Sequence, residues 1–122
     1  MYITDSASPI EIIVVEDDSL YRKVVTDFLK EDPSFKVTGE AKDGQTAVKL
    51  AKELKPDVII MDLGLPVMSG IEATVKIKEC NPSIKVIALT SHVNKDEAVE
   101  SLAAGATAYV NKDINLKNSP TF

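Results

Sequence analysis

Ile12-Ile13-Val14-Val15-Glu16-Asp17-Asp18 and Val58-Ile59-Ile60-Met61-Asp62 are built alike: four apolar residues, most of them β-branched, run straight into carboxylates. Continuous apolar runs of this length suit central strands of a parallel sheet covered on both faces. A carboxylate at the end of such a strand loses hydration, which is costly unless a positive group lies among its neighbours. Strand ends that concentrate acid in this way mark a place that holds a metal ion or another cation. Function is to be sought there.

The rest of the chain repeats the pattern at regular intervals. Strand-like segments begin near Ile12, Phe35, Val58, Ile84 and Ala108, with a helix-like stretch between each pair. Three of those stretches run into Asp32-Pro33, Lys55-Pro56 and Asn81-Pro82, and the residue before a proline is pushed out of the helical region. The fourth ends in Ala103-Ala104-Gly105, where glycine supplies a left-handed C′ position. Ser69 with Glu72, and Asn94 with Glu97, have the spacing of a helix cap and an acidic third position, and Asp18 with Ser19 reads as the cap of the first helix. Helical spacing groups Leu20, Val24 and Phe28 (with Val25 and Leu29 beside them), then Val48, Ala51 and Leu54, then Ile71, Thr74 and Ile77, then Val99, Leu102 and Ala103. Each stripe is expected to pack into the core.

Strict alternation of strand and helix implies right-handed crossovers and a doubly wound α/β sheet. Five strands in this length match the flavodoxin-like order 2-1-3-4-5, whose switch point lies between the first and third strands. Those strands end in Glu16-Asp17 and Asp62.

The whole chain fits this frame. Its 122 residues, 44% hydrophobic and 27% charged, make one domain around a single core. A net charge of −5 argues against direct nucleic-acid binding, since phosphate contacts need a basic patch. The lone Cys80 has no internal disulfide partner. Residues 1–9 read as a polar leader without the features of a signal peptide, and no apolar run has the length of a membrane span. We therefore expect a cytoplasmic protein without membrane association.

A small pocket of three carboxylates, Glu16, Asp17 and Asp62, suits Mg²⁺, which takes one or two carboxylates plus water and often a phosphate oxygen. Cys80 and His92 are single and far apart, so a sulfur- or imidazole-preferring metal is not indicated. The fourth strand, Val86-Ile87-Ala88-Leu89, ends in Thr90-Ser91, and the fifth, Ala108-Tyr109-Val110-Asn111, ends in Lys112. A hydroxyl and an ammonium beside a carboxylate–metal cluster form a phosphoryl-binding set. The in-line acceptor would be a carboxylate oxygen, giving an aspartyl phosphate.

Glu16-Asp17, Asp62, Thr90 and Lys112, in that order at successive strand ends, resemble the receiver domain of bacterial two-component response regulators. The stretch Met61-Asp62-Leu63-Gly64-Leu65-Pro66-Val67-Met68-Ser69-Gly70 is similar to that family's phosphorylation loop. The resemblance implies that Asp62 accepts a phosphoryl group from a sensor histidine kinase. Asp17 and Asp62 would ligate Mg²⁺ directly with the Gly64 backbone carbonyl, and Glu16 would act through metal-bound water. Lys112 would pair with Asp62 and then the phosphate, Thr90 would move inward to meet it, and Tyr109 would follow as the second switch residue. Asp113 stands where the family usually has a proline in a cis peptide, so a trans bond is expected after Lys112. The Lys112-Asp113 pair resembles receivers that precede LuxR/NarL-type DNA-binding domains, which points to transcription regulation by a longer chain.

The receiver-like region is taken as 10–114. Residues 115–122 are too few for a full fifth helix, which is expected to be short or missing; an uncovered apolar face and homodimerisation would follow. Taken singly, several of these residues have plainer readings. Thr90 could be a strand-end hydroxyl, Tyr109 a core filler, His92 an exposed loop residue and Cys80 a buried thiol. Two other functions stay open at this point: a receiver-shaped interaction module that is never phosphorylated, and a Mg²⁺-dependent phosphatase of the haloacid dehalogenase type. The latter wants Asp-x-Asp after the first strand, a form that Glu16-Asp17-Asp18 lacks.

Overall fold

The computed structural model describes residues 8–113. The leader 1–9 therefore falls almost wholly outside the described residues, and the tail 115–122 with the question of a fifth helix falls wholly outside them. Strands β1 (Ile10–Val15), β2 (Phe35–Ala41), β3 (Val58–Asp62), β4 (Lys85–Thr90) and β5 (Ala108–Asn111) alternate with helices α1 (Ser19–Lys30), α2 (Gly44–Leu54), α3 (Gly70–Cys80) and α4 (Lys95–Ala103). All strand pairs are parallel, in the order β2-β1-β3-β4-β5.

Register turns this topology into a site. Val15 lies opposite Met61, so the next residue after each, Glu16 and Asp62, stands at the same level of the sheet edge. Asp62 pairs with Leu89, and Thr90 pairs with Asn111, which brings Thr90 and Lys112 to that same edge.

The pleat sends alternate residues of the central strands to opposite faces. Ile13, Val15, Ile59, Met61, Val86 and Ala88 join the main core with Ala47, Ala51, Ala73 and Ile77 from α2 and α3. Ile12, Val14 and Leu29 form a smaller core on the face beneath α1, flanked by Val25, Val37, Val58 and Ile60.

Helix ends fall where local chemistry puts them. Asp18 caps α1 by accepting from the Leu20 and Tyr21 amides, while Ser19 is the first helical residue. Ser69 and Asn94 cap α3 and α4 through the Glu72 and Glu97 amides. Lys55 closes α2 in a left-handed conformation, and Gly105 follows α4 at φ +110°.

Four readings of burial need correction. Leu54 of α2 is exposed. Leu20, Val24 and Phe28 of α1 face solvent, and the helix packs instead through Thr26, Leu29 and its flank at Val25. Val99, Leu102 and Ala103 of α4 are likewise exposed. Cys80, the last residue of α3, is exposed rather than buried. Periodicity shows that residues share a face; which face meets the sheet is set by the crossover. Among the described residues no helix is long and apolar enough to cross a membrane.

Candidate functional site

Three carboxylates meet at the carboxyl edge of β1 and β3. Glu16 is 1% exposed and Asp62 4%, whereas Asp17 is open to solvent. One oxygen from each can be chosen so that all three lie within 4.8 Å of one another. Lys112 reaches in from the end of β5, its Nζ 2.6 Å from Glu16 Oε1 and 3.1 Å from Asp62 Oδ1. The Gly64 amide donates to Asp62 Oδ1 at 3.2 Å, and the Asp18 amide donates to Glu16 Oε2 at 3.0 Å.

Carboxylate outnumbers its counter-charge in the pocket. Three carboxylates face one ammonium, which leaves two negative charges uncompensated in a half-dry cleft. Burial raises the Glu16 carboxyl above its ordinary value, and the ion pair with Lys112 and the Asp18 amide only partly offset that. Burial pulls Lys112 the other way, but hydrogen bonds and charge from Glu16 and Asp62 outweigh it and raise the ammonium. The lysine is therefore held charged, and it is the surplus carboxylate that is under-compensated. An octahedral Mg²⁺ places its oxygen ligands at 2.0–2.1 Å, hence roughly 3 to 4 Å from one another. Carboxylate oxygens gathered within 4.8 Å of one another, with no nitrogen or sulfur donor in the set, fit a hard divalent cation.

The loop after Asp62 is fitted closely around it. A Cβ on Gly70 would lie 2.2 Å from the Asp62 carbonyl oxygen, so only glycine lets α3 begin against the end of β3. A Cβ on Gly44 would lie 2.1 Å from the Met68 carbonyl oxygen, so the start of α2 packs directly on the same loop. Val67, at its tip, is left-handed at φ +68° and 81% exposed, an unfavourable conformation for a β-branched residue.

Thr90 is 5% exposed at the end of β4. Its hydroxyl lies 2.7 Å from Glu97 Oε1, and it accepts from the His92 amide at 3.2 Å. Tyr109 is partly buried against the main core, with its hydroxyl 2.8 Å from the same Glu97 oxygen. His92 is an exposed loop residue. The peptide bond after Lys112 is trans, since the described residues contain no cis bond.

Sequence reasoning missed three residues of this site. The Lys112 ammonium sits 5.1 Å from the Tyr21 ring centroid, and the Tyr21 hydroxyl bonds to the Lys112 carbonyl oxygen at 3.4 Å. Burial raises the Tyr21 phenol, against the opposing pull of Lys112. Arg22 donates to the Glu16 carbonyl oxygen at 2.6 Å and pairs with Glu40 at 3.2 Å, pinning the chain where β1 ends. Glu97 was legible only as a capping position. Tyr21 and Arg22 sit just after a capped acidic strand end, a position that faces back over it, and this was the available signal.

A doubly wound domain with an acidic cluster, a lysine and a hydroxyl gathered at its switch point has the make-up of a signalling receiver. Residues 12–119 match the response regulator receiver domain, and the chain belongs to that family. It is 38% identical over 104 residues to the response regulator protein VraR of Staphylococcus saprophyticus, covering 85% of this chain and 50% of that protein. It is 34% identical over 106 residues to the transcriptional regulatory protein DegU of Brevibacillus brevis, covering 87% of this chain and 45% of that one. The receiver domain of a response regulator NarL from Mycobacterium tuberculosis superposes with a TM-score of 0.86 at 28% identity, covering 89% of this chain and 88% of that one. The chain thus spans about half the length of the curated relatives it matches.

Proposed function

We propose that this domain is a phosphorylated switch in which Asp62 takes a phosphoryl group from a sensor histidine kinase. The observation that carries this reading is the convergence of Asp62, Glu16, Asp17 and Lys112 on one edge, with Thr90 at the neighbouring strand end. An Asp62 carboxylate oxygen attacks phosphorus in line, the P–N bond of the donor phosphohistidine breaks, and its electron pair goes to the imidazole nitrogen. Asp17, Asp62 and the Gly64 carbonyl would hold Mg²⁺, and Glu16 would act through metal-bound water. When bound, the ion neutralises charge that develops on the phosphoryl oxygens.

Lys112 already sits against Asp62 and needs little movement to meet a phosphoryl oxygen on it. Thr90 supplies a hydroxyl from the next strand, and Tyr109 follows the space that Thr90 leaves. Phosphorylation adds about −1.5 to −2 charge and three acceptor oxygens, enough to bias two packings that differ by a few kcal/mol. The domain catalyses its own phosphotransfer and dephosphorylation and acts on no other substrate. We assign residues 10–114 to the receiver, and its output to a DNA-binding segment of a longer cytoplasmic chain that dimerises. The kinship with DegU, a transcriptional regulatory protein, supports an output in transcription.

Intact-mass measurement after incubation with Mg²⁺ and a small acyl phosphate tests the chemistry. One phosphoryl adduct is expected, absent without Mg²⁺ and absent in Asp62→Asn. A folded, Mg²⁺-binding protein that gains no adduct would leave an interaction module as the better reading.

A further inference from the structure

The capping box expected at the start of α4 is only half formed. Asn94 Oδ1 accepts the Glu97 amide at 2.8 Å, but the Glu97 carboxylate does not return to the Asn94 amide. That amide donates instead to the Tyr109 hydroxyl at 3.1 Å. Glu97 is turned toward the sheet, where its Oε1 lies 2.7 Å from Thr90 Oγ1 and 2.8 Å from the Tyr109 hydroxyl. Among the described residues no lysine or arginine pairs with it.

We infer that Glu97 is a positioning residue that locks the unphosphorylated packing, because one carboxylate oxygen takes the protons of both switch hydroxyls. The inference rests on the receiver reading above and adds a residue to it.

A threonine hydroxyl has a single proton to donate. The alternative acceptor, the His92 carbonyl, is farther away at 3.1 Å and uncharged, so the carboxylate is the stronger partner. A phosphoryl group on Asp62 needs the same proton. Thr90 can serve Glu97 or the phosphoryl group, never both, so each arrangement excludes the other.

Tyr109 is tied to the choice through the shared oxygen. Its hydroxyl donates to Glu97 while accepting from the Asn94 amide, which clamps the ring at the β4–α4 mouth. Once Thr90 leaves, Tyr109 is the one switch hydroxyl left on the half-buried carboxylate, and its move into the vacated space completes the exchange. Glu97 thus links the β4 end, β5 and the first turn of α4 through a single atom.

A double-mutant cycle tests this with beryllium fluoride, a tetrahedral phosphoryl mimic, titrated in the presence of Mg²⁺ and followed by ¹⁹F NMR of the bound fluoride. Wild type, Glu97→Ala, Thr90→Ala and the double variant are compared. Freed from the lock, Glu97→Ala is expected to bind the mimic about tenfold more tightly, the scale of one charge-assisted hydrogen bond. In the Thr90→Ala background the same change should alter affinity less than about twofold. Glu97→Gln keeps a neutral acceptor and should gain only a few-fold, again only when Thr90 is present; it carries the test if Glu97→Ala does not fold. An unchanged affinity in the folded Glu97 variants, or an equal gain with and without Thr90, overturns the lock while leaving the receiver reading intact. A folded wild type that binds no beryllium fluoride with Mg²⁺ overturns both.

Discussion

Glu16 and Lys112 form an ion pair whose two members respond to pH in opposite senses. The Glu16 carboxyl is raised by burial, so its charged form is held less well in the fold than in the unfolded chain. That penalty is complete above the raised folded value, shrinks as pH falls below it, and is gone below the ordinary value of 4.5. Without Mg²⁺, Glu16→Gln should melt higher than wild type at pH 7, and the gap should close as the pH is lowered toward 4.5. A gap that widens on acidification would contradict this. Lys112 is raised, so its stabilising contribution is complete below 10.5 and is lost as pH climbs through its folded value. Val67 carries a different kind of cost. With φ at +68° and the side chain in solvent, Val67→Gly removes left-handed strain and loses no packing. The gain should be about 1 kcal/mol in urea unfolding, after the greater freedom of glycine in the unfolded chain is deducted.

Elements meet the site through close approach. Helix α3 begins on the carbonyl of Asp62, so Gly70→Ala must push either the helix or the acceptor strand aside. We expect a loss of about 3 kcal/mol in chemical unfolding, with weaker Mg²⁺ binding in whatever folds. Element boundaries were well marked in the sequence. The dipeptides Asp32-Pro33, Lys55-Pro56 and Asn81-Pro82 follow the ends of α1, α2 and α3, because exclusion from helix is a local steric fact. Facing was less legible. The stripes Leu20-Val24-Phe28 and Val99-Leu102 have helical spacing yet lie in solvent, because hydrophobic periodicity carries no information about what covers a face. Glu97 shows the same limit. Its spacing from Asn94 predicts a local return bond, but Tyr109, far along the chain, takes the amide and turns the carboxylate inward.

The molecule as a whole balances a large core on the α2–α3 face against a smaller one under α1, with the acidic cleft across the sheet edge between them. Folding without a cation therefore gathers like charge at that edge. Asp62→Asn should raise the melting temperature of the Mg²⁺-free protein by about 4 °C, the size of 1 kcal/mol in a domain this small. Added Mg²⁺ should stabilise wild type and have little effect on Asp62→Asn, as differential scanning calorimetry can show. The sequence by itself determined the strand order, the helix limits and the strand ends at which Glu16, Asp17, Asp62, Thr90 and Lys112 stand. Those follow from β-branched runs, prolines, caps and crossover handedness, all of which act over short stretches. Only the tertiary structure decided that Tyr21 lies under Lys112, that Arg22 pins the end of β1, and that Glu97 joins Thr90 to Tyr109. Such contacts depend on how helices are rotated and seated on the sheet, and packing across the whole domain sets that.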